Sequence, residues 1–341
     1  GSWLWEPQST NLIPYSNDYS QSVWRKRTSD STQVPVITNN YAISPDGTQN
    51  ASRVVITKPS TDNDYAVLDN YISVARSIGD KLTSTIYIKA NSSAQVGKEV
   101  NLYAYDGSYL TMITYALTDS WVRIDAVHTS TTATSFMEAI VIGKARTSVG
   151  GVSLANMATD FLISFAQLEN QSYATSYIPT DGTSVTRNQD VCNNGGSLAS
   201  INSTEGVLYA EIAANSNDLT YRIFSINDGS RNNRVYLQYT NASNTLAAVV
   251  KSSNNTQANM ALVLSDETNF IKVGFKYKAN DFALWVNGVE VATDTSGLSP
   301  IGLNNLAFND GTSNNFFGKT KCVAVWKEAL SDEELAELTT I

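Results

Sequence analysis

The chain has 341 residues, 16% of them charged, and a formal net charge of −9. That length suits two ordinary domains. The acidic balance excludes nucleic-acid binding through phosphate neutralisation, which needs a basic surface, and no apolar run approaches the ~20 residues that insertion into a membrane requires.

Ser, Thr and Asn are abundant, and helix-forming runs are almost absent until the last segment, which is the composition of an all-β protein. The chain opens with Trp3 and Trp5, ahead of the first strand-like stretch, where exposed indoles would be either a mark of truncation or an assembly surface. Trp24 reads as a core residue, with Arg25, Lys26 and Arg27 solvated beside it. Arg53–Thr57 is a candidate strand, and Leu82–Lys89 alternates hydroxyl with apolar residues as a half-buried strand does. Val100–Tyr105 and Tyr109–Leu117 flank Asp106-Gly107-Ser108, where Asp-Gly supplies the positive φ of a tight hairpin. Trp121–His128, with Trp121 in the core, Phe136–Gly143 and Phe161–Leu168 continue the series. Strands at this spacing without intervening helices form an antiparallel sandwich.

Residues 179–196 hold Pro179, Gly182, Gly195 and Gly196 without periodicity and read as a linker between a sandwich over 1–178 and a second over 197–341. The second half predicts strands at Gly206–Ala213, Tyr221–Asn227, Arg234–Thr240, Thr245–Lys251, Met260–Leu264 and Phe270–Lys278. Phe282–Val286 turns at Asn287-Gly288 into Val289–Ala292, a strong hairpin signal, and Thr320–Trp326 is the last strand. Ser331-Asp332-Glu333-Glu334 is a capping box that starts a short C-terminal helix. The fold class is all-β: two antiparallel jelly-roll sandwiches in tandem, closed by that helix. The two cysteines, Cys192 and Cys322, make neither a metal motif nor a disulfide framework. A single bridge between the neighbouring first and last strands of a jelly roll stays open.

Three stretches of the first half, Glu6–Ser20, Ile43–Thr48 and Phe165–Glu169, resemble the carbohydrate-binding-module-like jelly rolls of phage tail fibres and secreted glycan-active bacterial proteins. In the second half Gly206–Glu211, Phe275–Gly288 and Val325–Leu338 resemble concanavalin A-like, laminin-G-type domains. The pairing implies non-catalytic binding of a polysaccharide or cell-surface glycan, on a secreted protein or a virion surface, with a homotrimeric fibre as one setting. A structural fibre domain without glycan binding and a polysaccharide-degrading enzyme are the alternatives. The resemblance also implies a structural Ca2+ near the first strand. The oxygen donors closest to the matching stretches are Asn17, Asp18, Asp46 and Glu169, although turn formation accounts for such residues equally well.

Sugar recognition needs flat aromatic faces and a few planar polar groups. Period-2 alternation puts Asn101, Tyr103 and Tyr105 on one face of a strand, and Tyr109, Thr111, Ile113 and Tyr115 on one face of the next. A three-residue loop would pair Tyr105 with Tyr109 and Tyr103 with Thr111, making a tyrosine platform from Tyr103, Tyr105, Tyr109 and Tyr115. Cross-strand pairs that only stabilise the sheet would look the same. Arg25 is the basic residue available to an acidic sugar. In the second half, Asn227-Asp228-Gly229 and Asn309-Asp310-Gly311 offer loop oxygens to a metal or to sugar hydroxyls, or are simply turns. His128, the only histidine, has no Gly-x-Ser-x-Gly partner, and no strand carries converging carboxylates, so no enzyme is expected.

Overall fold

Alternating apolar residues bury one face of each strand, and two such sheets must close on each other to remove that face from water. The computed structural model describes residues 1–29, 34–57, 61, 63–133, 135–151 and 158–341. The chain divides into two units, one formed by Gln8–Asn188 and the other by Gly1–Pro7 together with Gln189–Ile341.

The first strand, β1 (Trp3–Trp5), belongs to the second unit. The N-terminal sandwich is built from β2 (Ser9–Asn11), β3 (Trp24–Thr28), β4 (Val36–Ala42), β5 (Ala51–Ile56), β6 (Ala66–Ser73), β7 (Lys81–Ala90), β8 (Glu99–Tyr105), β9 (Tyr109–Ala116), β10 (Val122–Thr129), β11 (Phe136–Lys144), β12 (Thr159–Glu169) and β13 (Val185–Arg187). Its two five-stranded antiparallel sheets run β10-β7-β12-β5-β4 and β3-β6-β11-β8-β9. Between them lies a core that includes Trp24, Leu68, Ile86, Leu102, Ile142 and Phe161. Trp24 is buried as its sequence context predicts; Trp121 lies outside the core, half-buried just ahead of β10, with its indole N–H donating to the Ile43 carbonyl at 3.1 Å.

Residues 179–188 are part of this sandwich. β13 pairs with β2, Thr180 Oγ1 donates to the Ile13 carbonyl at 2.6 Å, and Asn11 Nδ2 donates to the Ile178 carbonyl at 2.9 Å. The first and last segments of the N-terminal sandwich therefore lock to each other, and the expected linker shrinks to the residues after Asn188.

The C-terminal sandwich continues with β14 (Glu205–Ala214), β15 (Arg222–Asn227), β16 (Arg234–Tyr239), β17 (Thr245–Ser252), β18 (Asn255–Val263), β19 (Ile271–Lys278), β20 (Phe282–Val286), β21 (Val289–Asp294), β22 (Asn305–Ala307) and β23 (Gly318–Trp326). Its sheets run β1-β23-β14-β19-β20-β21 and β18-β17-β16-β15-β22. The helix α1 (Asp332–Thr339) starts at the predicted capping box, with Ser331 and Glu334 bonding each other's backbone N–H, and buries Leu335 against Val207 and Trp285. Cys192 and Cys322 are both free thiols.

The N-terminal residues depart from expectation most. Trp3–Trp5 pairs antiparallel with Gly318–Thr320. Trp5 stacks on Phe308 with ring centroids 4.5 Å apart, and its carbonyl accepts from Asn215 Nδ2 at 3.2 Å. It is thus a packed residue of the C-terminal sandwich, whereas Trp3 stays 73% exposed. The variant W5A removes an indole from this half-buried site. It should lower the stability of the C-terminal sandwich by about 2 kcal/mol, read as a lower midpoint for the C-terminal transition in calorimetry, with the N-terminal transition unmoved. An unchanged C-terminal transition would contradict this placement.

Candidate functional site

One face of the sheet β3-β6-β11-β8-β9 points into the core, and the other gathers charge and aromatic rings. Register explains the gathering. Arg25 pairs with Asp69, Asp69 with Val141, and Val141 with Tyr103, so four strands contribute one row across the sheet. In a neighbouring row Glu138 lies between Tyr71 and Tyr105, and Tyr105 pairs with Tyr109 across the hairpin. Gly107, at the hairpin tip, has φ of 106°, the conformation that an Asp-Gly turn provides.

Two β-bulges aim these side chains. On β11 the register slips between Glu138 and Ile140, leaving Ala139 over, so Glu138 and Val141, three residues apart, share the outward face. On β9 the register slips opposite Tyr103: Ala104 pairs with Leu110 and Leu102 with Ile113, so Thr111 and Met112 together oppose one residue. That extra residue reverses the alternation. Met112 packs beside Tyr103 on the outward face, and Thr114 Oγ1 accepts from Asn101 Nδ2 at 3.0 Å. Ile113 and Tyr115 turn to the core, where the Tyr115 hydroxyl bonds the Asp125 carbonyl. The platform therefore holds Tyr103, Tyr105 and Tyr109 but not Tyr115, and the expected pairing of Tyr103 with Thr111 is replaced by the bulge.

The rings touch. Tyr109 lies 5.5 Å from Tyr103 and 5.1 Å from Tyr105 between centroids, both within the range of favourable edge and tilted contacts. Tyr103 is 4% exposed and forms the floor, while Tyr109 is 43% exposed and forms the rim. Burial pushes the Tyr103 phenol far above its ordinary range, so it stays a neutral hydroxyl.

Arg25 and Arg27 are not solvated neighbours of Trp24, as expected from sequence, but partners of the buried Asp69 and the largely covered Glu138. Arg25 Nη2 sits 2.5 Å from Asp69 Oδ2 and 3.1 Å from Glu138 Oε1. Arg27 Nε sits 2.6 Å from Asp69 Oδ1, and its Nη2 contacts Glu138 Oε2. Arg25 also lies over the Tyr71 ring at 4.0 Å. Burial raises the Glu138 carboxyl above the usual carboxylate range against the pull of Arg27. For Arg27, burial opposes its charge, but Asp69 and Glu138 prevail and raise its guanidinium further.

Arg27, Tyr65, Tyr103, Tyr105, Tyr109, Glu138 and Arg146 line a recess of about 200 Å³ on this face. Sequence reasoning missed Tyr65, Asp69, Glu138 and Arg146. The two-residue spacing of Arg25 and Arg27, which puts both on one strand face, was the available signal.

The four residues proposed for calcium do not form a cation site. Asn17 Oδ1 accepts from Ser164 Oγ at 3.0 Å and the Phe165 N–H at 3.1 Å. Asp18 accepts from Ser20, Gln21 and Asn39, and Asp46 from Ser44 and Thr48. Glu169, fully buried, accepts from Ser9, Gln171 and Thr175. Their oxygens are turned to N–H and O–H donors, and among the described residues no three acidic, His or Cys side chains converge as metal ligands. This donor set does not fit Ca2+, which requires six to eight converging oxygens.

In the C-terminal sandwich both Asn-Asp-Gly loops turn their carboxylates to donors of their own turns, and Asp310 also to Arg231. Asp228 accepts from Ser230 and Asn233. Asp310 accepts from Thr312 and Ser313, with Arg231 Nη2 at 2.5 Å. Burial opposes the Asp310 charge, but Arg231 and these donors hold its carboxyl well below the usual range.

His128 is fully buried, with Nε2 3.0 Å from Ser84 Oγ, and burial lowers its imidazole from 6.5 to about 4. It is packed inside the sandwich, away from the recess lining. The unfolded chain takes up this proton below about 6.5, while the folded one resists until about 4. Stability from this group is therefore full above 6.5 and lost as pH falls through that window, by roughly 3 kcal/mol in all. Denaturant titrations of H128L should lose this slope between pH 6.5 and 4; a slope equal to that of the unsubstituted chain would contradict the assignment.

Residues 195–336 match the laminin-G family model described as the concanavalin A-like lectin/glucanases superfamily. No curated protein matches the chain. Among solved structures, a heptameric SAP-like pentraxin from Limulus polyphemus is 12% identical, covering 42% of this chain and 72% of its own, with a TM-score of 0.33. The CBM22-1–CBM22-2 tandem of Paenibacillus barcinonensis Xyn10C is 10% identical, covering 96% and 100%, with a TM-score of 0.30. The mouse laminin α1 LG4-5 pair is 9% identical, covering 75% and 86%, also at 0.30. At these scores the likenesses say nothing about the recess.

Proposed function

We propose that the chain binds polysaccharide without cleaving it, and that the outward tyrosine face of the N-terminal sandwich is the binding site. The observation that carries this is the convergence of Tyr103, Tyr105 and Tyr109, from both strands of one hairpin, onto a recess that charged groups also line. A sugar ring presents an apolar face to the exposed Tyr109 and half-buried Tyr105, while its hydroxyls meet Glu138 and Arg27 at the recess wall. Those polar groups are already fixed by ion pairs, so little side-chain freedom is lost when a sugar docks. One site of this size holds one sugar unit, and useful affinity comes from repeated copies along a polysaccharide. That suits a protein displayed outside the cell, on a secreted glycan-active protein or a virion fibre.

Asp69 and Glu138 place two carboxylates on the same face, which raises hydrolysis as a second reading. Asp69 argues against it. Its side chain is fully buried and held by Arg25 and Arg27, leaving no access for a glycosidic bond.

Titration calorimetry against soluble polysaccharides tests the binding proposal. Y109A and Y105A should each weaken binding about tenfold, about 1.4 kcal/mol, with the thermal midpoint little changed for Y109A because that ring is largely at the rim. Unaltered affinity in both variants would overturn the assignment of the site, and release of reducing sugar would overturn the non-catalytic claim.

A further inference from the structure

We infer that the recess takes an acidic sugar, a uronic-acid unit of a polysaccharide, and that Arg146 is the residue that receives its carboxylate; this rests on the tyrosine face being the glycan site. Among the described residues that line the recess, Arg27 and Arg146 are cationic and Glu138 is acidic, in a chain of net −9; Asp69 is a second carboxylate on the same face. Arg25 and Arg27 already bridge both carboxylates. Arg146 does not share them. Among the described residues it makes no ion pair. Its guanidinium rests near the Tyr65 ring, 5.1 Å from the centroid, and its Nε is buried with no hydrogen-bond acceptor.

A guanidinium offers a carboxylate two parallel N–H donors in a fixed fork, and Arg146 lines the recess with no acidic partner among the described residues. The backbone presents this group firmly. Arg146 follows the end of β11, and its carbonyl accepts the N–H of Gly151 at 2.8 Å and of Val149 at 3.2 Å. A Cβ at Gly151 would lie 2.0 Å from the Ala145 carbonyl oxygen, so this tight return after Arg146 requires glycine. Glu138, the acidic side chain among the described residues that line the recess, is already paired with Arg27 and Arg25. Arg27 itself is committed, so a second anion in the ligand would find no further unpaired guanidinium in the recess.

The test uses the full chain and R146Q in calorimetric titrations at low salt. The probes are oligogalacturonides, alginate oligomers and hyaluronan oligomers, each beside its carboxyl-reduced neutral counterpart. The unsubstituted chain should bind at least one acidic oligomer about tenfold more tightly than its neutral counterpart. R146Q should lose that difference, the acidic form weakening about tenfold more than the neutral one, and R146K should recover part of it. Equal affinity for acidic and neutral forms in the unsubstituted chain, or an acid preference that survives R146Q, would overturn this inference and leave the glycan site standing. Failure to bind either form of any probe would also overturn this inference, whereas the glycan site itself falls only if every soluble polysaccharide fails to bind.

Discussion

The carboxylate of Asp69 is fully buried on the outward face of its sheet, and the site is organised around neutralising it. An unpaired carboxylate in that position would cost several kcal/mol. Arg25 and Arg27, two residues apart on β3, each place a guanidinium against it, and the same two groups then reach Glu138 on the far side of β6. Once the guanidinium planes are fixed, Tyr71 is covered by Arg25 and the wall of the recess is set before any ligand arrives. Pre-paired charge of this kind contributes orientation more than stability, because the attraction between the ions is largely offset by their lost hydration.

The tyrosines reach that wall through irregularity in the sheet. A regular β9 would have lined up Tyr109, Thr111, Ile113 and Tyr115. The bulge opposite Tyr103 instead sends Ile113 and Tyr115 into the core and closes the face with Met112 and Thr114. The bulge in β11 does the reverse for Glu138, bringing it onto a face that strict alternation from Val141 would deny it. Bulges at functional faces commonly re-aim side chains in this way.

These features explain what could be read in the sequence. The hairpin about Asp106-Gly107-Ser108, the pairing of Tyr105 with Tyr109, the Asn287-Gly288 turn and the terminal capping box are local signals, and the structure has all of them. So are short apolar runs bounded by turns, such as Phe282–Val286. The segment Trp24–Thr28 hides a strand because three consecutive basic residues look solvated until Asp69 and Glu138 are known to face two of them. Ala66–Ser73 is obscured by Asp69 and Asn70 in its middle. No glycine or proline in Tyr109–Ala116 announces the bulge that moved Tyr115. Trp5 was misplaced because its partner Phe308 is about three hundred residues away and no local pattern links them. Long-range pairing, not propensity, decided each of these cases.

Docking of a glycan on the outward face of β8 and β9 can be followed by NMR of the full chain carrying ring-labelled tyrosine, titrated with the tightest-binding oligosaccharide. Shifts are expected at Tyr105 and Tyr109, with Tyr221 and Tyr236 of the C-terminal sandwich unmoved. Shifts confined to Tyr221 and Tyr236, with Tyr105 and Tyr109 unmoved, would contradict docking on that face.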